Sequence, residues 1–205
     1  MSDQTLGLSF RETMAGGFAL GETDPAAGRA AGERAGTELA MHANVAIRDL
    51  DRFLTDPQHA GELSGTIDFT PFGSGIAASS GIFNLLSPGE QQRLKLMVYE
   101  LAFTHDGKPY YMAGRKEVRN DPGFDLWPDT TTLYTRLHSG TDKSGPVVGA
   151  GTLTLGVTAF IRALGTVEIL NAPTLAAKAD ALARFGRFFL GELWDSYGVH
   201  LRRNG

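Results

Sequence analysis

The sequence predicts a mainly β chain: an antiparallel barrel of about eight strands, calycin-like in outline, closed by one amphipathic C-terminal helix. Three observations carry this. Several segments alternate apolar and polar residues with the period of a half-buried strand. An Asp-Gly pair stands between two of them as a hairpin turn. The last apolar pattern switches to three- and four-residue spacing. A two-sheet sandwich is the alternative, but closure removes the unpaired edges that invite aggregation.

The clearest alternation is Thr37 to Ile47, with Leu39, Met41, Ala43, Val45 and Ile47 on one face. Asp49 to Leu54 suits a short helical turn that must end before Pro57, because the residue preceding proline leaves the α region. Leu63, Gly65, Ile67 and Phe69 repeat the strand pattern, and Gly75 to Leu86 gives a further strand. Both rows of Leu94 to Phe103 are apolar, as in a strand covered on both sides. His105-Asp106-Gly107-Lys108 then turns the chain into Pro109 to Val118. Thr130 to His138, Val147 to Val157 and Thr166 to Leu170 complete the strands, with a helical turn near Thr158 to Leu164. From Thr174, an N-cap, the stripe Leu175, Ala179, Leu182, Phe185, Phe189 and Leu193 predicts a helix over 174–197 that packs on the barrel. Gly21 to Gly36 lacks apolar anchors and reads as a mobile loop within a single domain of 1–205.

Composition narrows the function classes. With no cysteine among 205 residues, disulfides, thiol catalysis and Cys-type zinc sites are excluded. A net charge of -4 with scattered Lys and Arg offers no basic face, so nucleic acid is not an expected partner. No apolar run is long enough for a membrane span, and Met1 to Phe10 does not read as a signal peptide, so a cytoplasmic protein is expected.

Motif matches are superficial. Gly73 to Ala78 fits a GxGxxA fingerprint, and Ala77 to Gly81 a degraded nucleophile elbow, but neither has the strand-to-helix context its chemistry needs. No cofactor or metal is therefore expected. The five histidines have no ligand spacing, although a barrel could bring His42 and His138 together across it with Asp68 or Glu100.

Glu100 sits in the row Leu94, Leu96, Val98, Ala102 and needs a partner there. Arg115 or Arg136 would supply one, either as a structural pair or as a charge lining a cavity. Tyr99, Tyr111 and Tyr134 occupy strands expected to be neighbours and, with Arg136, would make a polar-tipped aromatic pocket. Gly114 to Leu133 joins two strands through Asn120-Asp121-Pro122-Gly123 and Trp127-Pro128-Asp129, and Trp127 suits a lid over a barrel mouth. The bland reading of the same loop is a set of surface pairs and self-bonded aspartates. The candidate ligand-binding set is Tyr99, Glu100, Tyr111, Arg115, Trp127, Tyr134 and Arg136, with Glu100, Tyr134 and Arg136 as the catalytic candidates.

Three segments, Phe10 to Phe18, the KEVRNDPGFDLWPDTTTL text ending at Leu133, and Phe185 to Tyr197, resemble an accessory module of large bacterial flavoproteins. These belong to the glucose-methanol-choline oxidoreductase family, in its cholesterol-oxidase-like branch, and the likeness runs from about Leu8 to Tyr197. The resemblance implies a setting of sterol- or lipid-like molecules and a possible flavin oxidoreductase partner, without the flavin domain itself. The expected function is binding of a hydrophobic small molecule, or service as an accessory subunit. The alternatives are a small isomerase, cyclase or hydrolase using a carboxylate-Tyr-Arg set, and a structural homo-oligomerising domain.

Overall fold

A computed structural model describes residues 5–78, 80–90, 94–119, 131–155 and 165–197. Its strands are β1 (Gly7–Leu20), β2 (Glu38–Ile47), β3 (Ala60–Phe69), β4 (Gly73–Ala78), β5 (Ser80–Pro88), β6 (Leu94–His105), β7 (Lys108–Arg119), β8 (Thr132–Ser139), β9 (Val147–Thr154) and β10 (Glu168–Leu170). Its helices are α1 (Pro25–Ala35), α2 (Leu50–Thr55) and α3 (Leu175–Tyr197).

The strands form a closed antiparallel meander. β4 and β5 run in succession along β3 and act as one wall strand, and β9 pairs back with β1 to close eight strands into a barrel. Registered partners trace the circuit Ser9, Ala46, Glu62, Ile82, Glu100, Ala113, Arg136, Ala150 and Ala19. The path returns to β1 ten residues from its start, so the stagger is ten for eight strands. Such a barrel is just wide enough to be filled by side chains or to hold one small ligand.

The alternation at β2 and β3 and the C-terminal helix are as the sequence predicts. In the hairpin between β6 and β7, Asp106 (φ 48°) and Gly107 (φ 72°) both have positive φ, as a type I′ turn requires. Thr174 caps α3, its Oγ1 accepting from Ala177 N at 3.1 Å.

Three features depart from expectation. The first is β1, which no alternation announces and which forms a seam of the barrel, whereas Thr166 to Leu170 contributes only the three-residue β10 outside the ring, paired to Gly7–Ser9. The second is Gly21 to Gly36, which is not a loop. It folds as α1, with the Asp24 carboxylate accepting from Ala26 N and Ala27 N, Pro25 in the first turn, and Gly36 at φ 67° ending it. The helix is seated on the outside of the β1–β9 seam by glycines: a Cβ on Gly28 would stand 2.1 Å from Ala150 O, and one on Gly32 2.3 Å from Phe18 N.

The third is the face of α3. Leu175 is 87% exposed and Leu182 40%, while Ala181 is fully buried and Phe185 and Phe188 pack on Phe53 of α2. The helix docks on α2 at one barrel end, so the covered stripe keeps Phe185 and Phe189 but takes in Ala181 and Phe188 in place of Leu175 and Leu182. Arg184 also pairs with Asp51 of α2. Phe53→Ala is expected to lower stability by about 3–5 kcal/mol, and Leu175→Ala to leave it within about 0.5 kcal/mol; urea unfolding of the two variants checks both.

At the other end an aromatic cluster closes the top. Phe18 meets Phe69 edge-on at 5.2 Å, Phe69 meets Phe72 at 5.0 Å, and Phe72 stacks on His105 at 4.3 Å. The two ends are therefore sealed by different means, and the polar groups of interest lie between them.

A candidate site inside the barrel

Registered partners point to the same side of a sheet, so the core row of one strand identifies the inward row of its neighbours. Inward-facing Phe83 pairs with Tyr99, and Tyr99 with Gly114; Met97 pairs with Lys116; Ala43 pairs with Glu12. Three buried ionisable side chains thus enter an interior otherwise built from residues such as Met14, Met41, Leu101, Met112, Leu133 and Leu153, with Thr135 on the same inward row donating its hydroxyl to Leu133 O. Glu12 is 8% exposed, Tyr99 2% and Lys116 2%. Ten residues of stagger over eight strands puts the three at nearly the same height, on β1, β6 and β7.

Their environment is chemically loaded. The ammonium nitrogen of Lys116 lies 4.9 Å from the Tyr99 ring centroid, in cation–π range. Burial pulls the Lys116 pKa below its ordinary value, and the Glu12 carboxylate opposes that pull. Burial pushes the Tyr99 phenol well above its ordinary range, reinforced by the charge of Glu12 and a hydrogen bond to it. Glu12 Oε1 is buried with no hydrogen-bond partner among the described residues. A buried carboxylate oxygen left unpaired is costly, and strongly perturbed ionisable groups cluster at functional sites.

Of the described residues that the sequence singles out, only Tyr99 belongs to this interior. Glu100, Tyr111, Arg115, Tyr134 and Arg136 lie on the outer wall, on the row that includes Ile82, which is 47% exposed. Glu100 is nevertheless 5% exposed, because the segment between β8 and β9 folds back over it. Its Oε1 accepts from Lys143 Nζ at 2.9 Å and its Oε2 from the Tyr111 hydroxyl, so neither Arg115 nor Arg136 is its partner. Burial and the Glu100 carboxylate push the Tyr111 phenol upward. Arg115 instead pairs with Glu117 at 3.1 Å, Arg136 Nε donates to Thr23 O at 3.1 Å, and Tyr134 is 44% exposed. Strand parity thus keeps Glu100, Tyr134 and Arg136 out of the barrel interior. Trp127 and most of its loop lie outside the described residues, as does the turn at Thr158 to Leu164.

Glu12 and Lys116 are the residues that sequence reading missed. Both signals were present: Glu12 interrupts the row Leu8, Phe10, Met14, and Lys116 stands two residues before Val118 on a strand whose partner was known from the Asp-Gly hairpin. Pairing Met97 with Lys116 across that hairpin would have placed the lysine inside.

A second constellation lies on the outer face of β1, β2 and β3. Thr13 Oγ1 and His42 Nδ1 are 3.1 Å apart, His42 Nε2 and Asp68 Oδ2 2.9 Å, and Gly75 N donates to Asp68 Oδ1 at 2.6 Å. So Asp68 does meet His42, but not across the barrel. His138 is elsewhere, its Nδ1 donating to Gly145 O at 2.8 Å. Among the described residues no group of three His, Asp or Glu stands close enough to hold a metal. The Gly75 amide, then the His42 bond, hold the Asp68 carboxyl below its ordinary value of 3.8. A depressed acid stabilises the fold above that value and loses the contribution as pH falls through the folded pKa. Asp68→Asn should therefore be less stable than the parent above the ordinary aspartate range and match it in stronger acid, as paired urea midpoints across pH will show.

An open groove of about 700 Å³ also crosses the outer wall, lined by Arg11, Asn44, Arg48, Glu62, Ser64 and Glu168. Its Arg48 and Glu62 neutralise one another at 3.0 Å, so it offers no concentrated charge. Gly73 to Ala78, the apparent dinucleotide fingerprint, is strand β4 in an antiparallel sheet and precedes no helix.

No family model, curated protein or solved structure matches this chain. The fold is a closed eight-stranded antiparallel β-barrel, calycin-like in outline, with a C-terminal helix, and the likeness to the flavoprotein accessory module rests on its three sequence segments alone.

Proposed function

We propose that this barrel binds a small molecule with an apolar body and one polar group, the polar group meeting Glu12, Tyr99 and Lys116. The observation that carries the reading is the unpartnered Glu12 Oε1 beside a desolvated lysine in an otherwise apolar interior. A fold that needed only stability would do as well or better with apolar residues of similar volume at these positions. A ligand hydroxyl, carbonyl or carboxyl supplies the missing partner.

The lining supports an adaptable site. All four described methionines, Met14, Met41, Met97 and Met112, are buried in the barrel, and Met97 is the registered neighbour of Lys116. Methionine is unbranched and polarisable and repacks around irregular shapes at low cost. The apolar lining with its few polar tips suits the polarity of sterol- or lipid-like molecules.

Native mass spectrometry of the purified protein, followed by organic extraction, tests the reading directly. A retained lipophilic mass is expected. In parallel, decanol, decanoic acid and cholesterol are titrated into stripped protein while Tm is followed. A true ligand at a hundredfold excess over Kd adds about 2.7 kcal/mol, a shift of several degrees. Neither a retained compound nor a shift with any of the three would end the proposal.

A further inference from the structure

Resting on that reading, we propose that Lys116 is a nucleophile: it forms an imine with an apolar aldehyde or ketone bound in the barrel, Glu12 relaying the protons and Tyr99 holding the carbonyl oxygen. The chain has five lysines, Lys95, Lys108, Lys116, Lys143 and Lys178. Lys116 alone among them is buried, and it stands in the interior, where an ammonium is poorly solvated and an amine is not. Met97 beside it yields room for an acyl chain, and the Tyr99 ring lies 4.9 Å from its nitrogen.

The step balances without an external oxidant or reductant. The lone pair of the neutral Nζ attacks the carbonyl carbon, a C–N bond forms, and the C=O π pair moves onto oxygen. Glu12 takes one proton from nitrogen and delivers it to that oxygen, giving a carbinolamine. It then carries the second N–H proton to the hydroxyl. The C–O bond breaks, water leaves and C=N forms, so the amine's two hydrogens and the carbonyl oxygen depart together. The phenol of Tyr99, kept protonated by its burial, exchanges its hydrogen bond to Glu12 for one to the bound carbonyl oxygen and so polarises it. The Oε1 of Glu12, without a hydrogen-bond partner among the described residues, is free to accept the proton, and desolvation of Lys116 favours the neutral amine.

The test uses the full chain with n-decanal, cinnamaldehyde or all-trans-retinal and sodium cyanoborohydride, and reads each lysine by peptide mass mapping. An imine trapped by reduction adds the aldehyde's mass less one oxygen. Lys116 should be labelled by at least one of the three at least about tenfold faster than exposed Lys108 or Lys178, although burial alone would make it the slowest. Glu12→Gln should slow labelling at Lys116 by about a hundredfold and leave Lys108 unchanged. If Lys116 is labelled more slowly than Lys108 by all three aldehydes, the inference is overturned, and this comparison needs no variant. Decanol and retinol, which cannot form imines, separate the two readings. Stabilisation by the alcohols without labelling at Lys116 removes the nucleophile and leaves the binding barrel, whereas no effect of alcohol or aldehyde removes both.

Discussion

Glu12→Leu should destabilise the protein by about 3–5 kcal/mol, and adding Lys116→Met should restore most of that loss. The single change removes the negative charge that faces a buried lysine and leaves an uncompensated cation in the interior. The double change replaces both charges by apolar volume, which buried ion pairs tolerate well. A double-mutant cycle in urea gives the coupling directly. The sign of the pH dependence is an internal check. Lys116 has a folded pKa below its ordinary 10.5, so the unfolded chain binds more protons and stability rises with pH between the two values. Without Glu12 the folded value falls further. The deficit of the single variant should therefore narrow as pH rises, so long as pH stays below the range where Tyr99 ionises, and the double variant should show no such slope. The double variant should also lose binding of the apolar ligand while keeping its fold, since the polar anchor is gone. Retention of full affinity would place the ligand elsewhere.

Gly32→Val is expected to destabilise by about 3 kcal/mol and to release α1 from the barrel. A Cβ there would stand 2.3 Å from Phe18 N and 2.8 Å from Thr37 O. These are backbone atoms of β1 and of the start of β2, and they cannot move without opening the barrel seam. A Cβ on Gly28 would stand 2.1 Å from Ala150 O, so the bare Gly28 lets the helix lie against β9. Ala30 is exposed, and Ala30→Val should stay within about 0.5 kcal/mol. Urea unfolding measures the difference, and amide exchange over 25–35 shows whether the helix has detached. If Gly32→Val unfolds at the parent's midpoint, α1 is not seated on these glycines.

Both expected effects fall on residues that a reading of the sequence passes over, and for related reasons. Apolar periodicity finds elements that bury large side chains. β2 and β3 announce themselves through Leu39, Met41, Val45, Leu63 and Ile67, and α3 through its phenylalanines. α1 buries almost none. Its contact face is Pro25, Gly28 and Gly32, and glycine read locally is a breaker, although here the missing Cβ is what allows a helix to lie against strand backbone. β1 hides for the converse reason. Its inward row holds Glu12 and Gly16, so the alternation breaks where the site is built.

The features legible in the amino-acid order are local ones. Strand periods, the Asp106-Gly107 turn, the Thr174 cap and the exclusion of thiol chemistry follow from neighbours within a few residues, and together they imply a mainly β barrel closed by a helix. Which row of a strand faces inward was decided only by tertiary structure. On β6 the two rows are almost equally apolar, and both Tyr99, 2% exposed, and Glu100, 5% exposed, end up buried: one by the barrel, the other by the β8–β9 segment that brings Lys143 over the outer wall. Burial of that second kind is made by residues more than forty positions away. A side-chain period of two allows either choice, and a single step of register exchanges them. Closure with a stagger of ten fixes that step, and with it brings Glu12, Tyr99 and Lys116 to one height inside the barrel.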